Sequence, residues 1–236
     1  MTRELFREDA YLQRCEAVVV RAGEGGVVLD RTVFYPTGGG QPGDRGVLRT
    51  RDGREIPIVD TRMDRGSGEV LHVPDEGAML PEPGAAVVAE IDGERRYRLM
   101  RTHTALHLLS ALVPGAVTGG QAGEGRGRLD FAVGREALDR EALQAELDRL
   151  VAGDLPVRVR WVEESELDAN PELVRTLSVR PPRGLGRVRL VEIEGVDLQA
   201  CGGTRVARTG EIGRVIAGRV ENKGRQNRRV HIALAG

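Results

Sequence analysis

The sequence predicts an α+β protein in which a small all-β region comes first and a mixed region of helices and strands follows. Three observations carry this reading. Short β-rich segments separated by Gly and Pro fill residues 1–90, helical periodicity sets in at Asp92, and strands and helices alternate from there onward. "CEAVVVRAGEGGVVLDRTVFYP" (15–36) reads as strand, Gly-rich turn, strand. "DRGVLRTRDGREIPIVDTRMDRGSGEVLHVP" (44–74) repeats the pattern, with "RDGR" supplying an Asp-Gly hairpin turn, and "GAAVVAEID" (84–92) is a further strand. Strands at this spacing suggest a small barrel or sandwich. His72, alone in one of them, reads as a structural histidine.

"ERRYRLMRTHTALHLLSALVPG" (94–115) predicts a helix stopped by Pro114-Gly115. A second helix is expected over 134–154, where Leu143, Leu147, Leu150 and Val151 form an apolar stripe. Beyond it come a strand at 155–164 with Trp161 expected in the core, a short helix over 165–177, one strand over 186–200, and closing strands around a basic turn. Residues 117–131, "VTGGQAGEGRGRLDF", read as a glycine-rich connection. The expected division is a β domain at 1–90 and an α+β domain at 91–236.

With 40% hydrophobic and 30% charged residues among 236, the composition is that of an ordinary soluble protein with a sizeable core. No apolar run is long enough for a membrane span. The first residues are charged and carry no apolar core of a secretory signal, and two distant cysteines make no disulfide framework; a cytoplasmic location is expected. The net charge of −1 hides a gradient: residues 175–236 carry 13 Lys/Arg against 5 Asp/Glu. A basic C-terminal third suits either a polyanionic partner or a solvated surface.

The chemistry concentrates in three places. His103 and His107, at i and i+4 of the predicted helix, project from one face and can take adjacent corners of a zinc tetrahedron. No glutamate follows the first histidine, so this is not the metalloprotease helix. Cys201, at the mouth of the Gly202-Gly203 pair, is the natural third ligand; the plainer alternative is a buried thiol and two hydrogen-bonded helix histidines. The second place is "FYPTGGGQPGDRG" (34–46), in which Gly38, Gly39 and Gly40 lead into Gln41. Its backbone could approach a ligand closely, yet it has neither the P-loop nor the dinucleotide spacing. In the third, 117–131, Gln121 could bond a small polar ligand and Asp130 is better placed to orient a neighbour.

These motifs, together with "VEIEGVDLQACGGTRVARTGEIG" and "KGRQNRRVHI", occur in an order that resembles the AlaX family, free-standing relatives of the editing domains of alanyl- and threonyl-tRNA synthetases. The resemblance runs from about residue 5 to 234. It implies an N-terminal β-barrel joined to an α+β editing core, and hydrolysis of the ester of tRNA(Ala) mischarged with serine, or also glycine. It implies one Zn²⁺ at His103, His107 and Cys201, with catalysis by these groups and Gln121. Substrate would be bound by Thr37, Gly38, Gly39, Gly40, Gln41, Gly202, Gly203 and Arg205; from its place at the head of the glycine loop, Thr37 is the expected reader of the serine hydroxyl, with Gln121 second. Arg183, Arg187, Lys223, Arg225 and Arg228 would meet the acceptor end of the tRNA.

One position departs from the family pattern. The last signature usually ends in a histidine, the fourth zinc ligand; here that residue is Arg205, which stays protonated and offers no lone pair. Three arrangements follow: zinc on three protein ligands, Arg205 holding Cys201 as a thiolate without zinc, or Arg205 turned out toward RNA phosphate. Two competing functions remain beside the deacylase. One is a non-catalytic tRNA-binding relative with a decayed site; the other is a cysteine hydrolase using Cys201 with His103 or His107.

Overall fold

The computed structural model describes residues 2–235 apart from 24, 65, 135–137, 175 and 177–185, and apart from the side chain of residue 172. The chain divides into two compact units, Met1–Tyr97 and Arg98–Gly236.

In the first unit, β1 (Arg3–Glu4) pairs in parallel with β4 (Arg31–Thr32). Strands β2 (Arg14–Gly23), β3 (Gly26–Leu29), β5 (Gly46–Thr50), β6 (Glu55–Met63), β7 (Val70–Pro74) and β8 (Ala86–Ile91) close a barrel in the order β2-β3-β7-β6-β5-β8. Of the two predicted all-β forms, the chain therefore adopts the barrel. Alternation decides what fills it: Ala17 and Val19 of β2, Ile56 and Ile58 of β6, and Val87, Ala89 and Ile91 of β8 all point inward, around Leu29 and Leu48. Closure leaves no unpaired edge among these strands. His72 is structural, as expected: its Nδ1 donates to the Val27 carbonyl (2.8 Å), and its Nε2 accepts from the Thr32 hydroxyl (2.7 Å).

A buried polar knot anchors the glycine-rich loop of this unit. The Asp44 carboxylate accepts from the Tyr35 amide (2.6 Å) and from the Arg96 guanidinium, which also donates to the carbonyls of Val33 (2.7 Å) and Ala10 (2.9 Å). Arg95 donates to the Gly43 carbonyl (2.8 Å). Both arginines stand at the start of α1 (Gly93–Leu112), whose N-terminus is capped by Asp92 accepting from the Arg95 amide (2.9 Å).

In the second unit, β9 (Val117–Ala122) and β10 (Arg126–Phe131) form a hairpin. The glycine-rich stretch read as a connection is thus two strands, because alternation of Gly127, Leu129 and Phe131 toward the core outweighs the low strand preference of its glycines. With β14 (Val215–Asn222) and β15 (Arg228–Leu234) they make a sheet ordered β14-β15-β10-β9. Asp130 lies opposite Arg229 and takes a two-pronged ion pair from it (2.7 and 2.8 Å). Helix α2 (Arg140–Ala152) is shorter than the predicted 134–154, since Asp139 caps it by accepting from the amides of Glu141 and Ala142. Leu143, Leu147 and Leu150 are its buried stripe, and Gln144 locks it to β14 through bonds to the backbone of Val215 and Ala217.

A second sheet orders β11 (Val157–Glu163), β12 (Arg187–Ile193) and β13 (Asp197–Ala200). The single strand expected over 186–200 is two, folded back at Gly195 with φ of 71°. The short helix α3 (Glu164–Ala169) ends before the predicted 177 and is followed by a 3₁₀ turn at Pro171–Leu173. Trp161, expected in the core, is half exposed on β11, because the strand's alternation buries Val162 instead.

Candidate functional site

The helix that carries the two histidines is buried on several sides: Leu99, Met100, Ala105, Leu106, Leu108 and Leu109 are all buried. Its i, i+4 spacing places the rings of His103 and His107 beside each other, with centroids 5.7 Å apart. Both are nearly inaccessible to solvent. The third group arrives from β13 and the loop after it. Period-two alternation puts Asp197, Gln199 and Cys201 on one side of that strand. Asp197 accepts from His107 Nδ1 (2.9 Å) and from the Gln199 side chain (2.7 Å). That fixes the proton of His107 on Nδ1 and leaves its Nε2 lone pair pointing into the cluster.

Cys201 starts a turn held by Arg189 of β12, whose Nη1 donates to the carbonyls of Cys201 (2.8 Å) and Gly203 (3.0 Å). The turn sends the Arg205 side chain back into the cluster. Its Nη2 lies 2.7 Å from His103 Nε2, 2.7 Å from His107 Nε2 and 2.6 Å from Cys201 Sγ, while its Nη1 donates to the Thr204 carbonyl at 2.7 Å. Arg205 itself is 4% exposed. Only glycine suits position 203, where a Cβ would fall 2.5 Å from His103 Cε1 and 2.8 Å from Arg205 Nη1.

The electrostatics follow from this packing. Burial, then the adjacent Arg205 charge, presses the pKa of His103 down to about 3, so the ring is neutral and accepts from Arg205. At His107 burial and the Arg205 charge also oppose protonation, but the Asp197 bond and the neighbouring sulfur outweigh them and the net direction is upward. Burial raises the Cys201 thiol, yet the Arg205 charge against the sulfur reverses this and holds it well below the ordinary thiol value, as a thiolate.

His103, His107 and Cys201 are a donor set that could hold a metal ion, their ligand atoms lying within 4.8 Å of one another. With Arg205 in place they do not fit one. A tetrahedral zinc would draw such nitrogen and sulfur donors to roughly 3.3–3.6 Å of each other. Here Cys201 Sγ and His103 Nε2 are 3.9 Å apart, and all three donors face a guanidinium nitrogen at hydrogen-bond distance.

The remaining expected site residues are placed as follows. Gln121 is exposed on β9 and lines an open recess of about 280 Å³ with Gly123, Arg126, Gly127, Arg128 and His231. In the first unit, Gly38 and Gln41 exchange backbone hydrogen bonds (3.0 and 2.9 Å) across a tight turn at Gly39 and Gly40, whose φ values are 55° and 80°. Two of the amides expected to face a ligand are thus used by the turn itself. Thr37 is exposed at its head, and its hydroxyl accepts from the Gly43 amide (2.8 Å). Gly202 is exposed. Of the basic residues, Arg225 is exposed, Arg187 pairs with Glu163 (3.0 Å), Lys223 pairs with Glu221 (3.3 Å), and Arg183 lies outside the described residues. Arg228 departs from the expectation: it is 9% exposed, and its Nη1 is spent on Asn222, Gly224 and Asn227 within its own turn. Asp197 and Arg189 are site residues that the motif reading missed.

A β-barrel unit followed by an α+β unit with this buried His/His/Cys group defines a protein of the synthetase editing-domain class. Residues 188–231 match the family described as threonyl and alanyl tRNA synthetase second additional domain, and residues 8–95 match class II (A) tRNA synthetases. The chain is 39% identical to the alanyl-tRNA editing protein AlaX-M of Methanosarcina mazei, over 99% of this chain and 97% of that protein. It is 36% identical to AlaX-M of Saccharolobus solfataricus, over 99% of both. It is also 40% identical to an alanine–tRNA ligase of Pyrobaculum neutrophilum, over 93% of this chain but 25% of the ligase. The chain belongs to the AlaX family of alanyl-tRNA editing proteins. Among the described residues no helix is long and apolar enough to cross a membrane.

Proposed function

We propose that this chain is a trans-editing deacylase that hydrolyses the aminoacyl ester of mischarged tRNA(Ala) in the cytoplasm, with the seryl ester as main substrate and the glycyl ester as second. Water adds to the ester carbonyl, the bond to the terminal ribose oxygen breaks, and that oxygen takes a proton. The products are a free amino acid and an uncharged tRNA. The observation that carries this reading is coverage: the chain aligns nearly end to end with two AlaX-M proteins but with only a quarter of a ligase.

In this reading His103, His107, Cys201 and Gln121 form the catalytic set. Thr37, Gly38, Gly39, Gly40 and Gln41 in the first unit and Gly202 in the second are the substrate-binding candidates, while Arg205, packed beside Gly203, acts on the three cluster side chains and not on substrate. Exposed Arg225, with Arg187 and Lys223, faces the acceptor end of the tRNA. The zinc implied by the family would be held by His103, His107 and Cys201 and would polarise the carbonyl or its water. Because Arg205 fills its place, no step is assigned to it. The domain organisation fits a β domain before an editing domain, with the functional boundary near residue 90.

Deacylation of seryl-, glycyl- and alanyl-tRNA(Ala) by the purified chain tests the reading, with release of serine expected to be fastest and alanine slowest. One specific observation favours a second reading: the guanidinium at the centre of the cluster is what a decayed site in a tRNA-binding relative would contain. Retained tRNA binding without turnover of any of the three esters would select that alternative.

A further inference from the structure

We infer that the side chain of Arg205 is itself the resident cation of this site, standing at the point where a metal ion would sit and excluding one. Two independent features carry the inference. The first is convergence: a single nitrogen, Nη2, is the common neighbour of His103 Nε2, His107 Nε2 and Cys201 Sγ at 2.6–2.7 Å. A metal is held by just such convergence of lone pairs, but at about 2.0–2.3 Å. The 2.7 Å distances to the two imidazoles match the two N–H groups of Nη2 donating to ring lone pairs rather than coordination bonds, and the sulfur lies in close charged contact with the same nitrogen.

The second feature is that the protein is built around the guanidinium. Arg205 is buried, its Nη1 is tied to the Thr204 carbonyl, and the turn that returns it to the cluster is braced by Arg189. Position 203 has space for a glycine only because the His103 ring and Arg205 Nη1 occupy the volume a side chain would need. On the opposite side Asp197, itself held by Gln199, aims the His107 lone pair at Nη2. A divalent cation entering this cage would meet a fixed positive charge in direct contact with all three of its ligands. Metal and guanidinium are therefore mutually exclusive occupants. The guanidinium does what a metal does for the surrounding groups: it fixes both imidazoles and neutralises the sulfur. It is attached to the chain and no chelator can remove it.

The inference does not depend on the deacylase reading for its test. The metal content of the chain, purified without chelators, is measured by elemental mass spectrometry for the wild type, Arg205→His and Arg205→Lys. Each is then titrated with Zn²⁺ against a chromophoric chelator and with Co²⁺, whose thiolate charge-transfer absorption reports Cys201 as a ligand. Expected is no stoichiometric metal in the wild type, and at least tenfold tighter zinc binding with a cobalt–thiolate band in Arg205→His. Arg205→Lys, which keeps the charge, remains free of metal. One zinc per chain in the wild type, or a cobalt–thiolate band there, overturns the inference. So does a folded Arg205→His that takes no zinc; should that variant not fold, the wild-type titration decides alone. Chelators leave wild-type deacylation of seryl-tRNA(Ala) unchanged. A wild type that deacylates only with zinc refutes the inference and keeps the function, whereas a metal-free wild type that never deacylates does the reverse.

Discussion

Acidification provides a sharp test of the barrel, because His72 must stay neutral for the fold to hold. The ring is fully buried, with Nδ1 donating to the Val27 carbonyl and Nε2 accepting from Thr32, whose oxygen in turn accepts from the Phe34 amide. Burial pushes its pKa from 6.5 down to about 4, against a smaller upward pull from the Val27 bond. The folded value lies below the unfolded one, so between them the unfolded chain binds more protons. The stabilisation is complete above pH 6.5 and is lost as pH falls toward 4. Two and a half pKa units correspond to about 3 kcal/mol, of which about 2 kcal/mol is gone by roughly pH 5. Other groups titrate in the same window, so the assay is a difference. Urea unfolding of wild type and His72→Gln, an amide that can donate to Val27 and accept from Thr32, is followed at pH 7, 6, 5 and 4. The variant is expected to be less stable at pH 7 and to lose about 3 kcal/mol less than wild type on going to about pH 4. Parallel curves for the two proteins would refute the assignment of a neutral buried ring.

Two further outcomes concern the candidate site. Gly203→Ala forces a Cβ to 2.5 Å from His103 Cε1, so the ring or the loop must move; a loss of about 1–3 kcal/mol is expected, read as a fall in thermal midpoint of about 2–4 °C per kcal/mol, together with slower deacylation. Thr37→Val removes the hydroxyl proposed to read serine, and the preference for seryl over alanyl ester should fall at least about tenfold, with Thr37→Ser restoring it. An unchanged ratio would leave Thr37 as the acceptor for the Gly43 amide and nothing more.

The all-β character of the first unit was legible because its strands are short, alternating and punctuated by Gly and Pro; the same pattern serves a barrel or a sandwich, and closure depends on the pairing of β2 with β8, which no local signal marks. The β9–β10 hairpin was not: three of its twelve strand residues are glycines, and packing explains one of them, Gly127, where a Cβ would sit a tight 3.0 Å from the Thr102 and Leu106 side chains. Trp161 was misplaced for a related reason. Its size argues for burial, whereas the alternation of β11 gives the buried position to Val162, which shares a cluster with Leu167, Leu173, Val188 and Leu190.

At the candidate site, helical periodicity alone pairs His103 with His107, but nothing local links either to Cys201, 94 residues beyond His107. Asp197 carried a readable signal, since it alternates with Gln199 and Cys201 along one strand face. Arg189 carried none, because its role is to two carbonyls of a turn, and backbone acceptors leave no mark on sequence. Arg205 is the instructive case. Motif comparison shows only that a lone pair is missing at that position; whether the arginine turns outward or inward depends on side-chain length and on the path of the turn. A histidine there would place one more acceptor at the edge of the cage. The longer arginine passes the edge and sets a donor at its centre, which inverts the polarity of the site from ligands awaiting a cation to ligands already supplied with one.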